Sequence, residues 1–367
     1  MGDVAKNLSE QVRQAFADKQ PLRIVGGNSK FTLGRAVAGE PLEVGQHTGI
    51  IDYQPTELVI TARAGTPLVE IEAALAEQGQ MLAFEPPHLG VSATLGGTVA
   101  CGLSGPRRPF TGAARDFVLG MKMLNGRGEL LQFGGQVMKN VAGYDVSRLQ
   151  AGAQGTLGVS LDVSLKVLPR PVSECTLMVE MDASTAIETM SHLSATALPL
   201  SAACHLPADG QQAGQLWLRL SAAPEALSAA SAMLAKELSA FAPTEVTDAE
   251  QAGGFWRDLR ERRLPFFDGG DGLWRLSVPP ATPVFTESLP GPCLLDWAGA
   301  QRWSKTTASA DAVRAVAQQA GGHASLFTPA GVEVAPLSPG LEALHRQLKA
   351  SFDPAGILNP GRLYEGL

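Results

Sequence analysis

Three glycine-rich segments, with no dinucleotide fingerprint in any of them, restrict this chain more than any other feature of its sequence. The first, Gly26-Gly27-Asn28-Ser29-Lys30, follows the apolar run Leu22-Arg23-Ile24-Val25. The second runs from Ala93-Thr94-Leu95-Gly96-Gly97 to Gly102-Leu103-Ser104-Gly105, and the third is Gly152-Ala153-Gln154-Gly155-Thr156-Leu157-Gly158. A strand that ends in Gly-Gly and a polar turn lets successive backbone N–H groups face outward, and such a nest binds anions. Ser29 and Lys30 add a hydroxyl and a positive charge suited to a phosphate. Taken alone, a segment of this kind is more often a surface turn. None of the three has the GxGxxG spacing between strand and helix, and GxxxxGK[ST] is missing as well, which disfavours a Rossmann fold or a P-loop. Three separate segments point instead to a long ligand threaded between two subdomains and contacted mainly by main chain.

At 367 residues the chain is long enough for two domains of roughly 150 residues each. Leu8, Val12, Ala15 and Phe16 recur at helical spacing, and a strand follows over 22–25. Residues 58–62 read as a strand. Thr66 as N-cap and Pro67 at the first helical position then open a helix that turns Leu68, Ile71 and Leu75 inward. Residues 84–114 show no period, and a loop of that length in a compact domain usually wraps something. Residues 117–124 and 129–133, joined by Asn125-Gly126-Arg127-Gly128, predict a hairpin, and 157–168 another strand. Pro169-Arg170-Pro171 marks a domain boundary. Strand-like pieces at 176–180, 216–220, 273–278 and 293–297 then alternate with helical ones at 186–196, 225–240, 254–262 and 311–320. That alternation predicts an α+β domain on an antiparallel sheet. Ser338-Pro339 opens a last helix bearing Leu341, Leu344 and Leu348.

Composition removes several classes of function. Acidic residues outnumber basic ones 36 to 29, a net charge of −7, so no nucleic-acid partner is expected. Cys101, Cys175, Cys204 and Cys293 are scattered, with no CxxC pair and no ligand spacing to the six histidines, so reduced thiols and no metal are expected. The first twenty residues are polar, and no run approaches the roughly 20 apolar residues of a membrane span. A cytoplasmic location is expected.

The segments Gly26-Gly27-Asn28-Ser29, Ala93 to Gly97, Ser104-Gly105-Pro106-Arg107-Arg108, Arg115-Asp116-Phe117-Val118-Leu119-Gly120, Gly143-Tyr144-Asp145 and Gly155-Thr156-Leu157-Gly158 stand in a telling order. It is the order found in the vanillyl-alcohol-oxidase-type flavoproteins, and the tail Phe352-Asp353-Pro354 to Asn359-Pro360-Gly361-Arg362 completes it. The chain resembles that superfamily. Within it, the stretches 137–146 and 296–303 resemble the FAD-binding subunits of bacterial glycolate oxidase.

This resemblance implies an α+β chain: a two-subdomain PCMH-type FAD-binding domain over residues 1–170, divided near residue 55, with a cap over 171–335 built on an antiparallel sheet. Residues 336–367 would return to the FAD domain. It implies that Gly26, Gly27, Asn28, Ser29 and Lys30 form the pyrophosphate loop, and that Thr94, Gly96, Gly97, Gly102, Ser104 and Gly105 run along pyrophosphate and flavin. Gly158 and Val159 would meet the adenine, and Asn359 the cofactor from the tail. Family members with a histidyl-linked flavin carry the histidine where Asn28 stands here, so the FAD is expected to be non-covalent. Ala153-Gln154 departs from the Ser-Glu common in related dehydrogenases.

The resemblance further implies oxidation of glycolate or another 2-hydroxy acid in a complex with a catalytic flavoprotein subunit and an Fe–S subunit, any membrane association running through those partners. Such oxidation needs a cation for the carboxylate, a base for the hydroxyl proton and the flavin as hydride acceptor. The paired histidines and carboxylate of related catalytic subunits have no counterpart in this sequence, which leaves Tyr144 and Arg302 as the catalytic candidates. Trp297 and Trp303 are expected in the core, at the flavin face or at a partner interface. A self-sufficient 2-hydroxy-acid dehydrogenase and a scaffold that has lost FAD are the alternatives.

Overall fold

A computed structural model describes residues 4–135, 145–210, 212–269, 272–328 and 331–367. The first helix, Ala5–Asp18, buries Leu8, Val12 and Ala15 against Leu22 and Leu42 of a parallel strand pair, Leu22–Val25 with Glu40–Glu43. The chain's end joins this same core. Ile357 and Leu358 are buried in it, and the Leu22 N–H donates to the Ile357 carbonyl at 2.7 Å.

Next comes a five-stranded antiparallel sheet in the order Ile50–Gln54, Val59–Arg63, Val159–Lys166, Val118–Leu124, Leu130–Gly134. Helix Leu68–Glu77 packs Leu68, Ile71 and Leu75 on it, as the spacing predicts. Its cap is one residue later than expected. Pro67 is the N-cap, and the Thr66 hydroxyl instead accepts the Gly49 N–H at 2.9 Å. The expected loop over 84–114 also needs correcting, because it contains helix Leu95–Cys101, begun by Thr94, whose hydroxyl accepts the Gly97 N–H. Seven residues, two of them glycine, are too few to display a helical period.

Residues 173–333 carry a nine-stranded sheet whose paired neighbours are antiparallel. Helices Ala183–Ser194, Pro224–Glu237 and Ala310–Gln319 bury their apolar sides on one face. Helix Ala249–Glu261 lies on the other, packing Phe255, Trp256 and Leu259 on Trp217. Strands Leu200–Leu206, Gln301–Lys305 and His323–Thr328 escaped the sequence reading. The first two are buried on nearly every residue, so the apolar-polar alternation that reveals a half-exposed strand is lost. The last helix, Pro339–Phe352, does form, but Leu341 and Leu344 are exposed. The buried member is Lys349, whose ammonium donates to the Thr156 and Leu358 carbonyls and to Asp353.

Candidate cofactor-binding site

The three glycine-rich segments converge. A Cβ on Gly27 would collide with the Ser92 carbonyl, which ties the first segment to the approach of the second. Gly102, at φ +62°, leaves its Cβ position 3.0 Å from the Gly152 backbone, which ties the second to the third. The missing side chains are thus needed first for backbone to lie on backbone, and the ligand surface is the by-product.

Between these segments and the tail lies a cavity of about 330 Å³. Gly26, Gly27, Asn28, Ser29, Lys30, Thr94, Gly96, Gly97, Gly158 and Asn359 line it. So do Arg23, Phe31, Cys101, Gln154 and Arg362, which the sequence reading did not name as site residues. Arg362 carried a signal, since it closes the tail motif, and so did Gln154, which lies in the third glycine-rich segment where Ala153-Gln154 departs from Ser-Glu; Cys101 carried none.

Among the described residues, no protein acceptor takes the backbone N–H groups of Gly27, Asn28, Ser29 or Lys30. Asn28 is left-handed, at φ 58°, the alternation that turns successive amides toward one point. Beside them the buried Lys30 ammonium donates to the His88 carbonyl at 3.0 Å, and the Ser29 hydroxyl donates to the same oxygen. Burial pushes the Lys30 pKa down, against the attraction of Glu261. A cation held without a direct carboxylate contact, next to unclaimed amides, fits an anion of the pyrophosphate type.

The second segment contributes differently. The Leu95, Gly96 and Gly97 N–H groups go to the Thr66 carbonyl, the Ala64 carbonyl and the Thr94 hydroxyl, so this stretch supplies wall rather than donors. Asn359 is likewise committed, accepting from the Ile24 N–H and donating to the Gln154 carbonyl.

Gly102, Ser104, Gly105 and Val159 are not among the lining residues. Val159 is fully buried in the core beside Leu22. The Ser104 hydroxyl accepts the Ala114 N–H. The Gly105 carbonyl accepts the indole N–H of Trp297 at 3.0 Å, so Ser104 and Gly105 stand where the nine-stranded sheet meets the first body. Tyr144 lies outside the described residues.

Arg302 stands elsewhere. It is 1% exposed, and its guanidinium donates to the carbonyls of Gly299, Pro283 and Thr282. In strand Gln301–Lys305, side chains alternate between faces, so Gln301 and Trp303 share the face of their register partners Ser277 and Arg275, and Arg302 shares the opposite face with Leu276. A candidate chosen for its motif thus points away from the seam that its two neighbours meet. Among the described residues no three His, Cys, Asp or Glu side chains gather as metal ligands, and no helix is long and apolar enough to cross a membrane.

This geometry is that of a flavoprotein cofactor domain, and comparison with known proteins agrees. Residues 4–134 match the FAD binding domain family, and residues 336–363 match the C-terminal domain of the FAD linked oxidases. The fold is shared with p-cresol methylhydroxylase, at a TM-score of 0.74 and 15% identity over 98% of this chain and 87% of that one. The chain is an FAD-dependent oxidoreductase of the PCMH type.

A narrower likeness spans the whole molecule. The glycolate oxidase subunit GlcE of Escherichia coli K12 is 48% identical over 365 residues, 100% of this chain and 99% of that protein. The chain belongs to the GlcE family. The GlcD subunit of Bacillus subtilis 168 is 30% identical over 35% of this chain and 27% of its own length. D-2-hydroxyglutarate dehydrogenase of Xanthomonas citri is 32% identical over 44% of this chain and 35% of its own.

Proposed function

We propose that this chain is the FAD-carrying subunit of a glycolate-oxidising complex, in which glycolate becomes glyoxylate with the help of a catalytic flavoprotein subunit and an Fe–S subunit. The observation that carries this reading is the 48% identity, end to end, with a protein named as a glycolate oxidase subunit. In it residues 1–170 hold the cofactor, 171–335 cap it and 336–367 return to close the cavity, and the complex works in the cytoplasm.

Bound FAD supplies a two-electron acceptor. The chain's own residues hold it: the Gly27 to Lys30 amides and the Lys30 ammonium are the anchor for its pyrophosphate. Asn28 presents an amide, which has no nucleophilic atom able to form the histidyl type of flavin bond, so the FAD is held without a covalent link. The four free cysteines are far apart in sequence and form no CxxC pair, which supports a reading in which the iron–sulfur centres belong to another subunit.

The test is spectroscopic. The purified chain should be yellow, and acid precipitation should release all of its flavin. Glycolate should bleach that flavin slowly in the isolated chain and quickly once the catalytic flavoprotein subunit is added. Fast stoichiometric bleaching of the isolated chain would instead identify a self-sufficient 2-hydroxy-acid dehydrogenase.

A further inference from the structure

We propose that Arg108, Arg262 and Arg275 form an anion site at the seam between the two bodies, and that it takes the carboxylate of a small organic acid. The three arginines come from separate parts of the chain: the short helix Arg108–Thr111, the end of helix Ala249–Glu261 and the strand Leu273–Ser277. Two tryptophans bring them together. The guanidinium carbons of Arg108 and Arg275 lie 4.1 and 5.2 Å from the ring centre of Trp297. Those of Arg275 and Arg262 lie 5.9 and 5.8 Å from that of Trp303.

Asp296, Glu261 and Asp116 attract Arg275, Arg262 and Arg108 respectively, but none of them pairs directly with its arginine. Among the described residues, the Arg108 and Arg262 side chains have no hydrogen-bond acceptor and no carboxylate within ion-pair distance, and Arg275 donates only to the Gln301 side chain, at 2.6 Å. Contrast Arg107, one residue from Arg108, which pairs with Glu85 and Glu174. Nearby cations lower a group's affinity for protons, and burial followed by Arg108 and Arg262 brings Arg275 down to about 10. Such an arrangement is unfavourable until an anion enters it. Ring contact with tryptophan offsets part of that cost and holds the guanidinium planes in place.

The shape selects the ligand. Arg262 and Arg275, with Arg108 behind Trp297 rather than in the lining, face a cavity of about 30 Å³ together with Ser104, Gly105, Gln301, Trp303 and the carboxyl of Asp296, which burial pushes up to about 7. That volume is room for about two water-sized oxygens, which is what a carboxylate presents. A guanidinium fork matches a carboxylate with paired donors. The identification of the acid as a 2-hydroxy or 2-oxo acid rests on the function proposed above; the anion site does not.

The test uses the full chain, FAD-loaded and FAD-free, at constant ionic strength. Oxalate, a planar carboxylate that a flavin cannot oxidise further by hydride removal, and glycolate are titrated against tryptophan fluorescence, with chloride as the ionic control. The expected result is a saturable change with oxalate and glycolate in the FAD-free chain, weakened at least tenfold in R275Q and R262Q and unchanged in R127Q, which alters an exposed hairpin arginine. The wild-type titration stands even where a variant folds poorly. No saturable response to either acid overturns the site, as does loss of flavin from R275Q with no acid binding in wild type, which would give the arginines to the cofactor. Flavin absorbance separates the two readings: acid binding in a chain that takes up no FAD supports the site and sinks the function above, and a yellow chain blind to both acids does the reverse.

Discussion

The Glu261 carboxylate accepts the backbone N–H groups of His88 and Leu89, at 3.1 and 2.8 Å. The His88 carbonyl in turn accepts from Lys30 and Ser29. A side chain at the end of a helix on the nine-stranded sheet thereby holds, through one loop, the cation beside the free amides. Burial raises the Glu261 pKa, but the Leu89 N–H, Arg260 and His88 outweigh it, and the net shift is downward. A carboxyl shifted down contributes stability above its unfolded pKa and loses it as pH falls through the folded value. E261Q should lower stability by about 1–3 kcal/mol at neutral pH and weaken FAD binding about tenfold. Thermal melts and flavin titration measure both, and wild-type values in each would disprove the coupling.

Gly27 tests the convergence of the segments. In G27A the new Cβ meets the Ser92 carbonyl, a backbone atom that cannot swing aside. Strain of this kind typically costs about 1–3 kcal/mol, and it should displace the amides that face the cavity. Purified G27A should retain little flavin. Full retention would mean that the nest does not hold the cofactor.

Glu85 sits between Arg107 and Arg219, at 3.2 and 2.7 Å, with all three side chains largely shielded from water. Removing it leaves the two guanidiniums to share Glu174, the more exposed carboxylate, at 2.5 and 3.8 Å. Because Glu174 still answers part of that charge, E85A should lose less than the ~3–5 kcal/mol of a fully broken buried pair, read as a lower urea midpoint. The double change E85A/R219M should recover part of the loss, because it leaves one guanidinium rather than two for Glu174 to answer.

Asp296 gives a prediction of opposite sign to Glu261. Burial pushes its carboxyl up to about 7, against hydrogen bonds from Trp297 and Gln301 and the charge of Arg275. Folded protein therefore holds this proton between about pH 4 and 7 while the unfolded chain has released it, so this group's contribution to stability declines as pH rises across that window. The whole effect is on the order of 4 kcal/mol at most. In D296N the decline should vanish, so the stability difference between variant and wild type should shift in the variant's favour from pH 4 to 8. A difference that stays constant over that range would contradict the upward shift.

Much of the local structure was open to reading in the sequence. Apolar spacing located the helices at Leu8 and Leu68, Asn125-Gly126 marked the hairpin, and glycine runs marked the bends where chain crosses chain. These signals are local, because periodicity, capping and turn chemistry act over a few residues and leave their record in the order of residue types. Leu341 and Leu344 show where that record misleads, since a helical stripe states that a helix forms and not which side is covered.

Tertiary structure decided the rest. Arg108 lies more than a hundred residues before Arg262 and Arg275, the three carry no common motif, and only the docking of one sheet on another body sets them around two tryptophans. Arg302 went to the wrong side of its strand for a reason no motif contains, since one step along a strand reverses a side chain and the face that meets a neighbour depends on what packs there. Residue order governs what each short segment can form; which charges end up facing each other is governed by contacts made across the whole chain.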